Sequence, residues 1–297
     1  MATQTEAAHV SVLLNEAMAA LAPRAGGLYV DGTLGLGGHS EEILRRSSPD
    51  GRLIAFDWDA EALRRARERL AYFGERLTIM RRNFAEIAVA LAELGVSGVD
   101  GILVDIGMSS LQLEHGGRGF SFQRDEPLDM RMDTRRGQTA AALLASATEN
   151  ELADIFFYYG EERQARRIAE ILVETRKKTP VQSSRQLAEL VARAIPRRFH
   201  PPKIHVATKV FQALRIAVNG ELENLASFLA DAPALLNPGG RLAVIAFHSL
   251  EDGLVKRALK TNQSLAEKIK RPMCAGDEEI ARNPRARSAR LRVAEKI

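Results

Sequence analysis

Four glycines fall within seven positions, at 32, 35, 37 and 38, directly after the short apolar run Tyr29-Val30 and its closing carboxylate Asp31. That order restricts the stretch Tyr29 to Ser40 to strand, tight loop and helix. Glycine reaches positive φ without strain and places no Cβ between the backbone and a ligand, while Ser40, Glu41 and Glu42 suit the opening turn of a helix with exposed amides. A small ligand can lie across such a loop. On the glycines alone, a tight turn of purely structural purpose reads the same way.

Two ligand templates separate here. The dinucleotide fingerprint G-x-G-x-x-G, started at Gly35, needs glycine at position 40 and meets Ser40. The looser acidic-x-G-x-G-x-G loop of S-adenosylmethionine (AdoMet) enzymes finds Asp31, Gly35 and Gly37, with Thr33 in place of one glycine. The next apolar run, Arg52-Leu-Ile-Ala-Phe-Asp57, ends in a carboxylate nineteen residues after Gly38, about where a doubly wound fold places the acid that holds a ribose diol. Loop and acid in register point to a nucleoside cofactor.

Further along, the same rhythm repeats. Helix-like segments over Asp59 to Tyr72, with apolar positions 62, 63, 66 and 70 on one face, and from Asn83-Phe84 to about Leu94 alternate with strand candidates Leu77-Thr-Ile-Met80 and Val99-Asp-Gly-Ile-Leu-Val-Asp105. A fifth strand is expected at Arg241–Phe247, after the turn Asn237-Pro-Gly-Gly240, and Ala289–Ala294 alternates like a final edge strand. Strands and helices at this spacing predict an α/β fold, a doubly wound and mostly parallel sheet with helices on both faces. Ligands of such sheets bind beyond the carboxyl ends of the strands, where Asp31, Asp57, Phe84 and Asp105 all fall.

Between about Thr134 and His205 strand signals stop and helix signals multiply: Thr148-x-x-Glu151 and Ser183-x-x-Gln186 have capping-box form, and Tyr159-Gly160 and Ile195-Pro196 read as helix stops. The expected organisation is therefore a cofactor-binding domain over residues 1–134 and 206–297, with a helical insertion over 135–205 that emerges near the carboxyl end of the fourth strand. One continuous helical stretch is expected from about Ala207 to Leu236. Charge is uneven along the chain. Glu161 to Arg215 holds thirteen Lys/Arg against five Asp/Glu, net +8, so the remainder carries −4 of the overall +4. That asymmetry suggests an anionic partner for the insertion, or else an arginine-rich solvated face. Cys274 is the only cysteine, which excludes an intrachain disulfide and a cysteine-based zinc cluster, and no metal is expected. The N-terminal residues lack a basic stretch leading into an apolar core, and no uninterrupted apolar run approaches the ~18 residues of a membrane span, so the expected location is the cytoplasm, with no membrane partner.

Directly after the fourth strand come Asp105-Ile-Gly-Met-Ser-Ser110 and Gln112, then Arg118-Gly-Phe-Ser-Phe122 and Pro127-Leu-Asp-Met-Arg-Met132. A carboxylate with two neighbouring hydroxyls, Asp105 with Ser109 and Ser110, can orient an exocyclic amine by accepting its hydrogens, and these are the candidate catalytic residues. A polar turn capping a strand is the plainer reading of the two serines. With Gly37-Gly-His-Ser40, Lys203-Ile-His-Val-Ala-Thr208, Val210–Asn219, Phe247-His-Ser-Leu-Glu-Asp252 and Asn283–Ser288 in one order, the chain closely resembles the bacterial small-subunit ribosomal RNA cytosine-N4 methyltransferase family (methyltransferase H, older name MraW) from His9 to the C-terminus.

The resemblance implies a Rossmann-like class I AdoMet-dependent methyltransferase that modifies the exocyclic N4 of a cytosine in the decoding centre, the P-site region, of 16S ribosomal RNA. The basic insertion would then meet the RNA of the 30S subunit. By matching motif it implies cofactor contacts at Gly37, Gly38, His39, Asp57, Phe84, Asp105 and Gln112. The chain departs from the family's usual proline at Ser11, Leu111 and Val206, and from its usual Asp at Glu114. Two other classes are the alternatives: an RNA-binding assembly factor without catalysis, against which the intact Gly37, Asp57 and Asp105 set speaks, and a nicotinamide-dependent oxidoreductase, disfavoured by Ser40.

Overall fold

A computed structural model describes residues 11–107, 117–202 and 204–297. The chain divides into two compact units, one made of residues 1–109 and 222–297 and the other of residues 110–221.

The first unit is built on a seven-stranded sheet in the order β3-β2-β1-β4-β5-β7-β6. Its strands are β1 (Leu28–Asp31), β2 (Arg52–Asp57), β3 (Leu77–Arg81), β4 (Val99–Asp105), β5 (Leu236–Ala246), β6 (Leu265–Glu267) and β7 (Arg290–Lys296). The first five run parallel, and β7 lies antiparallel to both β5 and β6. Successive residues serve opposite layers. Leu53, Ala55, Leu103, Ala243 and Ile245 pack in one core with Met18, Ile43, Leu44, Leu63 and Leu70. Ile54, Phe56, Ile102, Val104, Leu242 and Val244 pack in the other with Ile87, Leu91, Leu225, Phe228, Val255 and Leu259. Burial on both faces is why these strands read as near-continuous apolar runs.

The first layer is covered by α1 (Leu14–Leu21), α2 (Gly38–Arg46) and α3 (Ala60–Leu70), the second by α4 (Ile87–Glu93), α10 (Glu221–Asp231) and α11 (Ser249–Thr261). Helix α3 buries Ala62, Leu63, Ala66 and Leu70, the face expected from its periodicity, and Asp59 caps it by accepting from Glu61 N–H. A short helix, α12 (Asp277–Arg282), precedes β7.

Two expectations for this unit need correction. The last strand is not an edge: β7 lies between β5 and β6, and the edge is the three-residue β6, too short to leave a periodic signal. Nor is 207–236 one helix. Gly220 takes φ 60° as the left-handed cap of α9 (Thr208–Asn219), donating to Ile216 O, and α10 starts anew at Glu221.

In the second unit, α5 (Ala140–Ser146), α6 (Glu149–Tyr158), α7 (Ala165–Arg176) and α8 (Ser184–Ala194) are joined by short connections, and a longer link over residues 195–207 leads to α9. Thr148 with Glu151, and Ser183 with Gln186, form complete capping boxes at the starts of α6 and α8. The unit is wider than residues 135–205 because its flanks are tied into the helices. Ser184 N–H donates to Glu126 O, Leu128 N–H to Gln182 O, and Asn219 Nδ2 to Met130 O, while Asn219 Oδ1 accepts from Met132 N–H at 2.7 Å.

Candidate active site

The carboxyl ends of β1, β2 and β4 carry Asp31, Asp57 and Asp105, and Phe84 follows β3. The sheet order reverses at β1, between β2 and β4, so the loop after β1 opens at the switch point of the sheet.

Hydrogen bonds to both neighbouring strands hold that loop in shape. Asp31, 1% exposed, accepts from Thr33 N–H at 3.0 Å and from Ser40 Oγ at 2.6 Å. Thr33 Oγ1 accepts from Asp105 N–H at 2.6 Å and so pins the loop to the end of β4. Asp57 Oδ2 accepts from Gly35 N–H at 2.8 Å, and its Oδ1 accepts from Asp59 N–H at 2.9 Å. A carboxylate has about four acceptor sites, so roughly two on Asp57 stay available to a ligand. The glycines are required by close approach. A Cβ on Gly32 would meet Val104 and Phe84 at 2.9 and 3.0 Å, one on Gly38 would fall on Ser11 Oγ, and Gly37 turns into α2 at φ 83° against Leu70. Phe84 is half-buried and packs edge-on to Phe228 with ring centroids 5.5 Å apart, forming an apolar wall beside Gly32.

His39 turns inward, with 5% of its surface exposed. Its Nε2 lies 3.0 Å from Val12 O, and a carbonyl only accepts, so that nitrogen carries a hydrogen, while Nδ1 faces Asp105 Oδ2 at 3.8 Å. The side chain braces the loop against the segment before α1 and against β4. Asp105 Oδ1 is buried without a hydrogen-bond partner among the described residues. Such an orphan is costly in a closed protein, and a donor brought by a ligand would satisfy it.

Electrostatics single out the same carboxylates. Burial pushes Asp105 up to about 7, opposed by His39 and helped by the nearby charges of Asp31 and Glu251. Burial likewise pushes Asp57 up to about 6, against its two accepted N–H bonds. Both folded-state values lie above those of the unfolded chain, so these groups favour the folded ligand-free protein in acid, and that contribution is lost as pH rises from about 4 through 6 to 7. Carboxylates held at such a cost at the mouth of a glycine loop are candidates for a ligand site.

Ser109, Ser110 and Gln112 lie outside the described residues. Three contributors were not visible as such in the sequence. Thr33 stands where the pattern asks for glycine, and its hydroxyl is the only local hint of its bond to β4. Ser40, expected as a cap at the helix start, lies inside α2 and uses its hydroxyl on Asp31 instead. Glu251, 1% exposed, accepts from Phe247 and His248 N–H at 2.8 and 3.2 Å and closes a capping box with His248 as N-cap. The H-x-x-E spacing was its signal, masked by the rarity of histidine in that role.

A sequence profile of the MraW methylase family matches residues 6–297. The chain belongs to that family. Membership bears out the resemblance read from the ordered motifs. Ribosomal RNA small subunit methyltransferase H of Desulfotalea psychrophila is 60% identical over 98% of this chain and 99% of its own length. The protein of the same name from Citrifermentans bemidjiense is 50% identical over 97% and 98%. The crystal structure of a Clostridium thermocellum protein described as an rRNA methylase aligns with 97% of this MraW-family chain and all of its own at 12% identity, with a TM-score of 0.50. At that identity the likeness concerns the fold alone, the Rossmann-like class I methyltransferase fold with its parallel sheet closed by an antiparallel strand.

Proposed function

We propose that this family member transfers a methyl group from AdoMet to the exocyclic N4 of a cytosine in the decoding centre of 16S ribosomal RNA, acting on the 30S subunit in the cytoplasm. The observation that carries the reading is the convergence, at the switch point of a class I fold, of a glycine-rich loop with the strand-end carboxylates Asp57 and Asp105, the latter holding a buried oxygen without a hydrogen-bond partner among the described residues. The name borne by relatives 60% and 50% identical supports small-subunit ribosomal RNA as the substrate. Among the described residues, no helix is long and apolar enough to cross a membrane.

The residues present fit AdoMet. Gly37 and Gly38 admit it to the backbone at the start of α2, Asp57 offers its free acceptor sites to a ribose diol, Phe84 supplies an apolar wall, and Asp105 offers a carboxylate to a cationic group. His39 holds loop and carboxylate in place. When bound, AdoMet supplies an electrophilic methyl on a sulfonium. A cytosine amine is a poor nucleophile because its lone pair is delocalised into the ring, so the chain must work mainly by positioning it and by accepting its hydrogens as positive charge arrives. Asp105, with Ser109 and Ser110, takes that acceptor role in this reading. Gln112 is carried as a cofactor contact by motif alone.

The deciding experiment exposes small subunits lacking the modification to tritiated AdoMet and maps the labelled nucleotide. Label on a cytosine N4 in the decoding centre is expected, and label elsewhere or none overturns the reading. A second expectation concerns pH. With Asp105 near 7, AdoMet affinity should weaken by up to about tenfold per unit as pH falls below 7, because the protonated carboxyl no longer attracts a cationic ligand. Calorimetry from pH 8 to 6 checks this, and Asp105→Asn should bind more weakly with a flatter profile over that range. A third expectation concerns the basic insertion. Reversing Arg197 and Arg198 to Glu should weaken RNA binding and flatten its salt dependence, since phosphate contacts release counterions, while AdoMet affinity stays unchanged. Equal loss of both affinities would instead indicate misfolding.

A further inference from the structure

We propose that the segment linking α8 to α9 is a stacking surface for unpaired RNA bases, formed by two prearranged pairs, Arg198 on Phe199 and His205 on Phe122. The proposal deepens the RNA-methyltransferase reading and rests on it.

Phe199 keeps 50% of its surface exposed, although a guanidinium covers part of its ring: the Arg198 Cζ lies 4.8 Å from the ring centroid. Six residues on, the exposed His205 stacks on Phe122 at 4.4 Å between centroids with the planes 27° apart. Phe122 in turn stands edge-on, at 5.2 Å and 82°, to the buried Phe211 of α9. The second pair is thus anchored in the unit's core and presents a flat outer face.

The backbone that carries these rings is held locally. Phe199 N–H donates to Pro196 O at 2.8 Å, His200 N–H to Arg197 O at 3.1 Å, His200 Nε2 lies 2.9 Å from Ile195 O, and Ala207 N–H donates to His205 Nδ1 at 3.2 Å. Pro196, Pro201 and Pro202 narrow its freedom further. Flat rings whose own backbone groups are hydrogen-bonded in this way bind with less entropy left to lose. Arg197 and Arg198 are exposed and have no ion-pair partner among the described residues, which leaves their charge for phosphate.

Planar faces interleaved with cations match a nucleic acid whose bases are open on their faces. A duplex hides those faces in its own stack, so the surface selects single strands. Ile195, Val206 and Ala207 are the residues by which this link joins the core, whereas the half-exposed ring of Phe199 adds little to a unit whose core already holds Phe156, Leu187, Val191 and Phe211.

The test measures binding of the full chain to a fluorescent mixed-sequence single-stranded oligoribonucleotide and to a duplex of equal length, at several salt concentrations. Phe199→Ala is expected to weaken single-strand binding by about 5- to 100-fold with an unchanged slope of log affinity against log salt, since stacking releases no counterions. AdoMet affinity should not change, and Phe199→Trp should retain binding because the larger ring still stacks. His205→Ala should act in the same direction as Phe199→Ala. Wild-type affinity in both alanine variants, or a preference of the wild type for duplex, would overturn the stacking surface. Methylation of small subunits by Phe199→Ala and His205→Ala with wild-type KM would overturn it too while leaving the function standing. If the wild type labels no small-subunit RNA at all, the functional reading fails and this inference with it.

Discussion

Alanine at Asp57 is expected to weaken AdoMet binding by about a hundredfold or more, with the ligand-free fold preserved. Each oxygen already accepts one backbone N–H, from Gly35 and Asp59, and the remaining acceptor sites lie at the carboxyl end of β2, where the proposal places the ribose. Two charge-assisted hydrogen bonds at roughly 1.5 to 3 kcal/mol each account for the expected loss, before any loosening of the loop at Gly35. The fold should survive because the ionised carboxylate is itself unfavourable there: burial raises it to about 6, so removing it above that pH relieves a cost while forfeiting two accepted bonds. Asp57→Asn, which keeps one acceptor oxygen, should fall between wild type and Asp57→Ala. Titration calorimetry at pH 8 beside a thermal melt decides the matter. Unchanged affinity in a protein that melts normally would remove Asp57 from the cofactor site.

The largest loss of stability should follow Asp252→Ala. Arg292, 7% exposed, grips Asp252 through Nε to Oδ1 at 2.6 Å and Nη2 to Oδ2 at 3.1 Å, and Arg290 adds Nη1 to Oδ2 at 3.0 Å. The cluster ties α11 to β7 across the antiparallel end of the sheet. Removing the carboxylate strands the Arg292 guanidinium in the interior, which costs about 3 to 5 kcal/mol and should lower the melting temperature by on the order of ten degrees. Asp252→Leu combined with Arg292→Met should recover most of the loss, because an apolar pair of similar volume carries no desolvation penalty. Burial favours the neutral acid, but the two arginines outweigh it and hold Asp252 below the usual carboxylate range. Its contribution is therefore present above about pH 4 and is lost as pH falls through its depressed folded value, so the gap between wild type and variant should close in acid. Urea unfolding at pH 7 and pH 3 tests both statements. A change under about 1 kcal/mol at pH 7 would show the pair to be solvated.

What the sequence determined by itself was everything carried by near neighbours. Strands β2 and β4 were legible because a strand buried on both faces must be apolar almost throughout, and each stops at a carboxylate where the chain leaves the sheet. Thr148 with Glu151 and Ser183 with Gln186 announced α6 and α8, since a capping box is a bond between residues three apart. The family followed from long motifs in one order. Only the tertiary structure made the three-residue β6 an edge and β7 an inner strand, carried β5 back to Leu236 around the irregularity between Val99 and Gly101 of its partner β4, and drew residues 118–132 into the helical unit. It also assigned side chains their partners. Thr33 meets Asp105 across 72 residues and Asp252 meets Arg292 across 40, and nothing in the local pattern of a threonine or an aspartate records a partner that far away. Periodicity and capping are short-range and leave a trace in adjacent residues, whereas pairing between distant elements is set by the packing of two apolar layers against one twisted sheet.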